Sequence, residues 1–83
     1  MSERTMMLGR LEEAKIRRRE MTLKAEGLCT SIRQDISPVL YDIEEMKIPV
    51  SAQMMDELVM VYAELLGLRG KIERLSRELG NGQ

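Results

Sequence analysis

The chain of 83 residues has no histidine, tryptophan or phenylalanine, one cysteine (Cys29), two tyrosines (Tyr41 and Tyr62) and two prolines (Pro38 and Pro49). Each scarcity excludes something. Without histidine, neither a Ser–His nor a Cys–His nucleophilic pair can be assembled, and a structural zinc site would have only one thiol and carboxylates to draw on. A single cysteine closes no internal disulfide and suits a reducing compartment. With so few aromatics, a β-rich or aromatic-centred core is not expected, whereas a helix–helix seam can be filled by Leu, Ile, Val, Met and Ala. No apolar run reaches the length of a membrane span, and Met1-Ser2-Glu3-Arg4 does not lead into a signal-peptide core. The expectation is a protein of the cytoplasm with no membrane, metal or cofactor, and not an enzyme.

What is present is charge and a helical rhythm. Thirteen basic and fourteen acidic residues nearly cancel, for a formal net charge of −1. From Ser51 to Gly80 the apolar residues Met54, Leu58, Val61, Leu65, Leu68, Ile72, Leu75 and Leu79 step by four and three without a break, the heptad spacing of a helix seam. Pro49 blocks a helix upstream and Ser51 is placed as an N-cap, with Val50 and Met55 as a hydrophobic staple. Asp56 and Glu57 suit the first turn, Arg74 and Arg77 the last, and Gly80 before Asn81-Gly82 supplies a stop. The spacing predicts a helix over 52–79.

Upstream, Met7, Leu11, Ala14, Arg18, Met21, Ala25, Leu28 and Ile32 make a second seam, continued after a stutter by Ile36, Val39, Ile43 and Met46. Pro38 interrupts it, costing about 3 kcal/mol if nothing compensates. Either one helix over 3–46 kinks near Ser37-Pro38, or it ends there and a short helix restarts. The continuing stripe favours the kink. A turn over 47–51 then makes the helices antiparallel neighbours. At about 1.5 Å per residue the second helix reaches back only to about Glu20, so residues 3–18, bearing Met7, Leu11 and Ile16, should overhang.

The expected architecture is thus one all-α domain over 1–83, an antiparallel, coiled-coil-like two-helix hairpin. A helix with one neighbour leaves apolar surface open, so a homodimer forming a four-helix bundle is expected. Its candidate interface, for self or for an unidentified protein partner, is Met7, Leu11, Met21, Leu28, Ile32, Ile36, Val39, Ile43, Leu58, Val61, Leu65, Leu68, Ile72, Leu75 and Leu79. Cys29 follows Leu28 and is expected to be partly buried. Gly9, Gly27, Gly67 and Gly70 interrupt the helices. Gly67 and Gly70 lie beside the Leu65–Leu68 part of the seam, where another backbone could come close or small residues could simply be tolerated.

The paired carboxylates Glu12-Glu13 and Glu44-Glu45 are adjacent on a helix and diverge, so they form no acid–base pair. The basic stretch Lys15, Arg17, Arg18 and Arg19 is the alternative signal. Residues 1–33 carry eight basic and five acidic residues, and such an arm could neutralise nucleic-acid phosphates or meet an acidic protein. Against it stand flanking Glu12, Glu13 and Glu20, the lack of interleaved aromatics, and an ordinary Glu13–Arg17 pair at i, i+4. A solvated helix face is the preferred reading. Arg18, on the seam itself, should either reach outward or pair with a carboxylate across an interface.

The run Lys24-Ala25-Glu26-Gly27-Leu28-Cys29-Thr30-Ser31-Ile32-Arg33, then Ile36-Ser37-Pro38 and Ile43-Glu44-Glu45-Met46, resembles small helical-hairpin proteins of Mu-like transposable phages and prophages. In the second helix the likeness runs through Ala63-Glu64-Leu65 and Ile72-Glu73 to Leu79-Gly80, covering roughly residues 20–80. It implies a hairpin working in a bacterial host cell during phage development, as an adaptor or inhibitor of a host or phage protein. It carries over no catalytic or binding residue. A structural subunit of a larger assembly is the remaining class.

Overall fold

A computed structural model describes residues 2–81. They form two long helices, α1 (Glu3–Asp35) and α2 (Ile48–Asn81), joined by a connection that includes one short 3-10 turn, Ile43–Glu45. No strand occurs among the described residues. The protein is an all-α helical hairpin, and no described helix is long and apolar enough to cross a membrane.

Cross-helix contacts fix the direction. The Arg4 guanidinium donates to the Leu79 carbonyl, Arg17 meets Glu64 and Lys24 meets Glu57, and the Lys47 N–H donates to the Asp35 carbonyl at the base of the connection. Numbers rise on one helix as they fall on the other, so the helices are antiparallel. The result is a rod of 60 × 19 × 17 Å with a radius of gyration of 18.5 Å, against about 12 Å for a compact domain of this length.

α1 starts where Ser2, with extended backbone, accepts a hydrogen bond from the Thr5 N–H onto its side-chain oxygen, a cap that satisfies one of the orphan donors of the first turn. It stops at Asp35, eleven residues before the predicted end at 46. Proline disfavours helical backbone at the residue before it, here Ser37, and the chain turns instead. The Leu40 and Tyr41 N–H groups both donate to the Ser37 carbonyl. Pro38 therefore ends the helix rather than kinking it. Ile36, Val39 and Ile43, predicted on the seam, sit on the connection and face solvent, Val39 at 90% and Ile43 at 69% exposure.

α2 begins at Ile48, four residues before the predicted start. Pro49 lies in its first turn, where the missing N–H has no intrahelical partner to lose. Ser51 is consequently inside the helix and not its cap. It is 6% exposed, its N–H donates to the Lys47 carbonyl, and its hydroxyl has no hydrogen-bond partner among the described residues. Asp56 and Glu57 fall in the third turn. Gly80 remains helical, with no positive φ among the described glycines, while Gly82 lies outside the described residues. A buried hydroxyl left unpaired is a penalty of about 1–3 kcal/mol, whereas losing a cap costs about 1 kcal/mol. Ser51→Ala should therefore raise the urea midpoint. A lowered midpoint would restore the capping role.

With α1 shortened and α2 lengthened, 33 residues face 34, and the overhang disappears. Residues 3–18 lie along the last turns of α2, with Met7 and Leu11 half-buried and Ala14 buried. The most enclosed apolar side chains, Ala14, Met21, Val61, Leu75 and Leu79, lie from the middle of this single interface to the end away from the connection, and no described side chain is wholly sequestered.

Candidate interaction surfaces

All eight predicted seam residues of α2 are buried or half-buried, and on α1 the same holds for Met7, Leu11, Ala14, Met21, Ala25, Leu28 and Ile32. The residues nominated as an oligomer or partner interface thus pack α1 against α2 within one chain, apart from Ile36, Val39 and Ile43 on the connection. Ile16, away from the seam, is exposed.

One flank of the seam is charged. Arg17 Nε and Nη2 donate to Glu64 Oε2 and Oε1 at 3.0 and 3.1 Å, Arg17 also approaches Glu20 at 3.7 Å, and Lys24 Nζ lies 2.9 Å from Glu57 Oε1. Arg17 is paired with these two glutamates and not with Glu13. The two hydrogen bonds to Glu64, and then its charge, hold the Arg17 guanidinium above its ordinary pKa. Exposed pairs of this kind add little stability; what they do is favour one register. A signal for them was in the sequence. Arg17, Lys24, Glu57 and Glu64 each immediately precede a seam residue, placing opposite charges at equivalent flanking positions of two antiparallel helices.

Arg17 therefore separates from the other members of its basic stretch. Lys15, Arg18 and Arg19 line an open groove with Thr22, Leu23 and Ile72. Arg18, predicted on the seam, is exposed, because the guanidinium keeps its hydration at the groove mouth. Replacing it with leucine would complete the apolar row beside Ile72, so Arg18→Leu should stabilise the hairpin by about 1–2 kcal/mol. A lower midpoint in the variant would mean that the guanidinium holds a partner.

The opposite flank carries exposed apolar residues that the heptad spacing does not single out. Met55, Val59, Tyr62 and Leu66 are all exposed, and each follows a seam residue (Met54, Leu58, Val61, Leu65) by one position. They repeat the four–three–four spacing about 100° around the helix. With Ala25 and Cys29 of α1, Met55, Val59 and Tyr62 line an almost wholly apolar groove beside the seam. Cys29 is exposed there, not partly buried. Met60, further round α2, is 74% exposed. From Leu58 to Leu68 the helix has one charged residue, Glu64, so it is apolar well beyond the face that α1 covers. A second exposed apolar cluster, Val39, Leu40, Tyr41, Ile43 and Ile48, forms the tip of the hairpin.

Among the described residues no group of three or more His, Cys, Asp or Glu is placed to hold a metal ion. Comparison with protein-family models, curated proteins and solved structures gives no match.

Proposed function

We propose that this chain is a non-enzymatic protein-interaction module that self-associates into a four-helix assembly and acts as an adaptor or inhibitor of a host or phage protein. The observation that carries the reading is the eleven-residue stretch Leu58–Leu68, which has a single charge yet is covered by α1 on one side only. Helices that are apolar all round are normally buried, and a contiguous apolar patch of this kind marks a contact surface. The exposed tip, with Val39, Leu40 and Ile43 beside Asp42, Glu44 and Glu45, suits an apolar partner surface rimmed by basic groups. The bacterial and phage setting rests on the sequence likeness alone.

The deciding experiment is the absolute molar mass by light scattering on a gel-filtration column over a range of concentrations. The expected mass is twice 9.6 kDa; a mass of one chain at every concentration would end the self-association reading.

A second reading has one observation in its favour, the convergence of Lys15, Arg18 and Arg19 on one groove. If that groove holds nucleic acid, retardation should be seen at low salt, weaken steeply as salt rises, and vanish when these three are reversed to glutamate. No retardation at low salt would dispose of it.

A further inference from the structure

Resting on the self-association just proposed, we infer that copies join through the acidic tip of one hairpin, residues 39–45, seated in the basic groove of another. The first support is charge. Lys15, Arg18 and Arg19 line that groove, and no carboxylate does. Residues 36–46 hold Asp42, Glu44 and Glu45 and no basic residue. All six side chains are exposed, and none is engaged in an ion pair among the described residues. Such surfaces attract each other and oppose the meeting of groove with groove or tip with tip.

The second support is what lies among the charges. The groove has Leu23, exposed, and Ile72, half-buried, between its cations. The tip has exposed Val39, Leu40 and Ile43 among its carboxylates. Each surface is an apolar centre with a charged border, the anatomy of a specific protein contact. The tip is also shaped before it docks. The Leu40 and Tyr41 N–H groups donate to the Ser37 carbonyl, and the Glu45 N–H donates to the Asp42 carbonyl, so binding has no loop to order.

The third support is position. Leu40 lies against Thr30, Arg33 and Gln34 of α1. Arg33 is about five helical turns from Lys15, and Thr30 and Gln34 are about three from Arg19 and Leu23. Leu40 therefore sits on the row of α1 that carries the groove, about 20 Å away along a straight helix. That separation keeps a tip from the groove of its own chain, so the occupant is a second copy. A two-fold axis across the rods brings one row opposite the same row of the partner, and each copy then seats its tip in the other's groove. The pairing is closed. Arg33, the cation beside Leu40, stays back within α1 and is not part of the tip.

The test exchanges the charges. Lys15→Glu/Arg18→Glu/Arg19→Glu and Asp42→Lys/Glu44→Lys/Glu45→Lys each set like charge against like. Either variant alone should keep the parent's circular dichroism, while its dimer–monomer midpoint in light scattering rises by roughly tenfold or more. An equimolar mixture of the two should regain a mass of two chains, because each now offers the other an opposite charge at both contacts. Leu40→Ser, with no change of charge, should weaken the parent dimer in the same direction. A parent dimer that neither reversal weakens, or a mixture that stays monomeric, overturns this contact while self-association stands. Nucleic-acid retardation that the groove reversal abolishes, with the dimer's mass unchanged, gives the groove to the second reading and overturns this one. A mass climbing past two chains overturns the closed pairing. A parent chain that is monomeric at every concentration overturns both the contact and the self-association.

Discussion

Leu75→Ala is expected to lower stability by about 2–3 kcal/mol, while Val39→Ala leaves the unfolding midpoint within about 0.5 kcal/mol of the parent. By spacing alone the two positions are equivalent members of the apolar seams. In the fold, Leu75 is one of the most enclosed side chains and Val39 is nearly fully solvated on the connection. Truncating Leu75 removes buried apolar area and leaves a gap that two straight helices cannot easily close; truncating Val39 removes atoms already in water. A chain of this length is held by only about 4–12 kcal/mol in total, so the first loss is a large share and the second is barely measurable. Urea unfolding followed by circular dichroism, at one fixed protein concentration so that association does not vary, checks both. Equal costs at the two sites would place Val39 in a core and restore the long first helix.

That contrast shows what heptad spacing can and cannot decide. The seam of α2 and the α1 seam from Met7 to Ile32 were legible because burial of one stripe is what makes such helices stable at all, and the order of the residues records it. The end of α1 was misread because periodicity says which residues would share a face if the helix continued, not whether it does. Ile36, Val39 and Ile43 imitate the stripe closely enough to outweigh Pro38. The backbone restriction on Ser37 was the stronger physical term. Pro49 was misread in the opposite direction, since a proline that breaks a helix interior is tolerated in a first turn. The supposed overhang of 3–18 followed from these two errors together and vanishes with them.

The exposed apolar surface was harder to read for a different reason. The same apolar stripes were expected to serve both the hairpin and an interface with a second copy or a partner, and spacing alone does not divide them between the two. Leu58, Val61, Leu65 and Leu68 are buried or half-buried on the α1-facing seam of α2, and Leu58 and Leu65 also line the apolar groove beside it. The stripe that remains, from Met55 to Leu66, is found only by asking which apolar residues are left after the hairpin has closed. The basic stretch divides on the same principle. Arg17 is drawn into the hairpin by Glu64, and only its neighbours Lys15, Arg18 and Arg19 stay available.

Four of the five described helical glycines, those away from the helix ends, give the other large expected effect, and of opposite sign. Gly9, Gly27, Gly67 and Gly70 all lie within α1 or α2, none has positive φ, and a methyl group added at any of them meets nothing within 4 Å. Each substitution by alanine removes a helix-propensity deficit of about 1 kcal/mol, so the quadruple variant should gain about 3–4 kcal/mol, a shift easily seen in thermal or urea unfolding. Splitting the set makes the experiment informative about assembly. Gly9→Ala/Gly27→Ala should deliver its gain at every protein concentration. Gly67→Ala/Gly70→Ala should deliver the same gain where the chain is monomeric; under the self-association proposed above, a gain that shrinks as concentration rises would mean that a second helix comes close at these positions. An unchanged gain for both pairs would free these glycines of any role in helix approach. A loss of stability in the first pair would contradict the open surroundings that the fold gives Gly9 and Gly27.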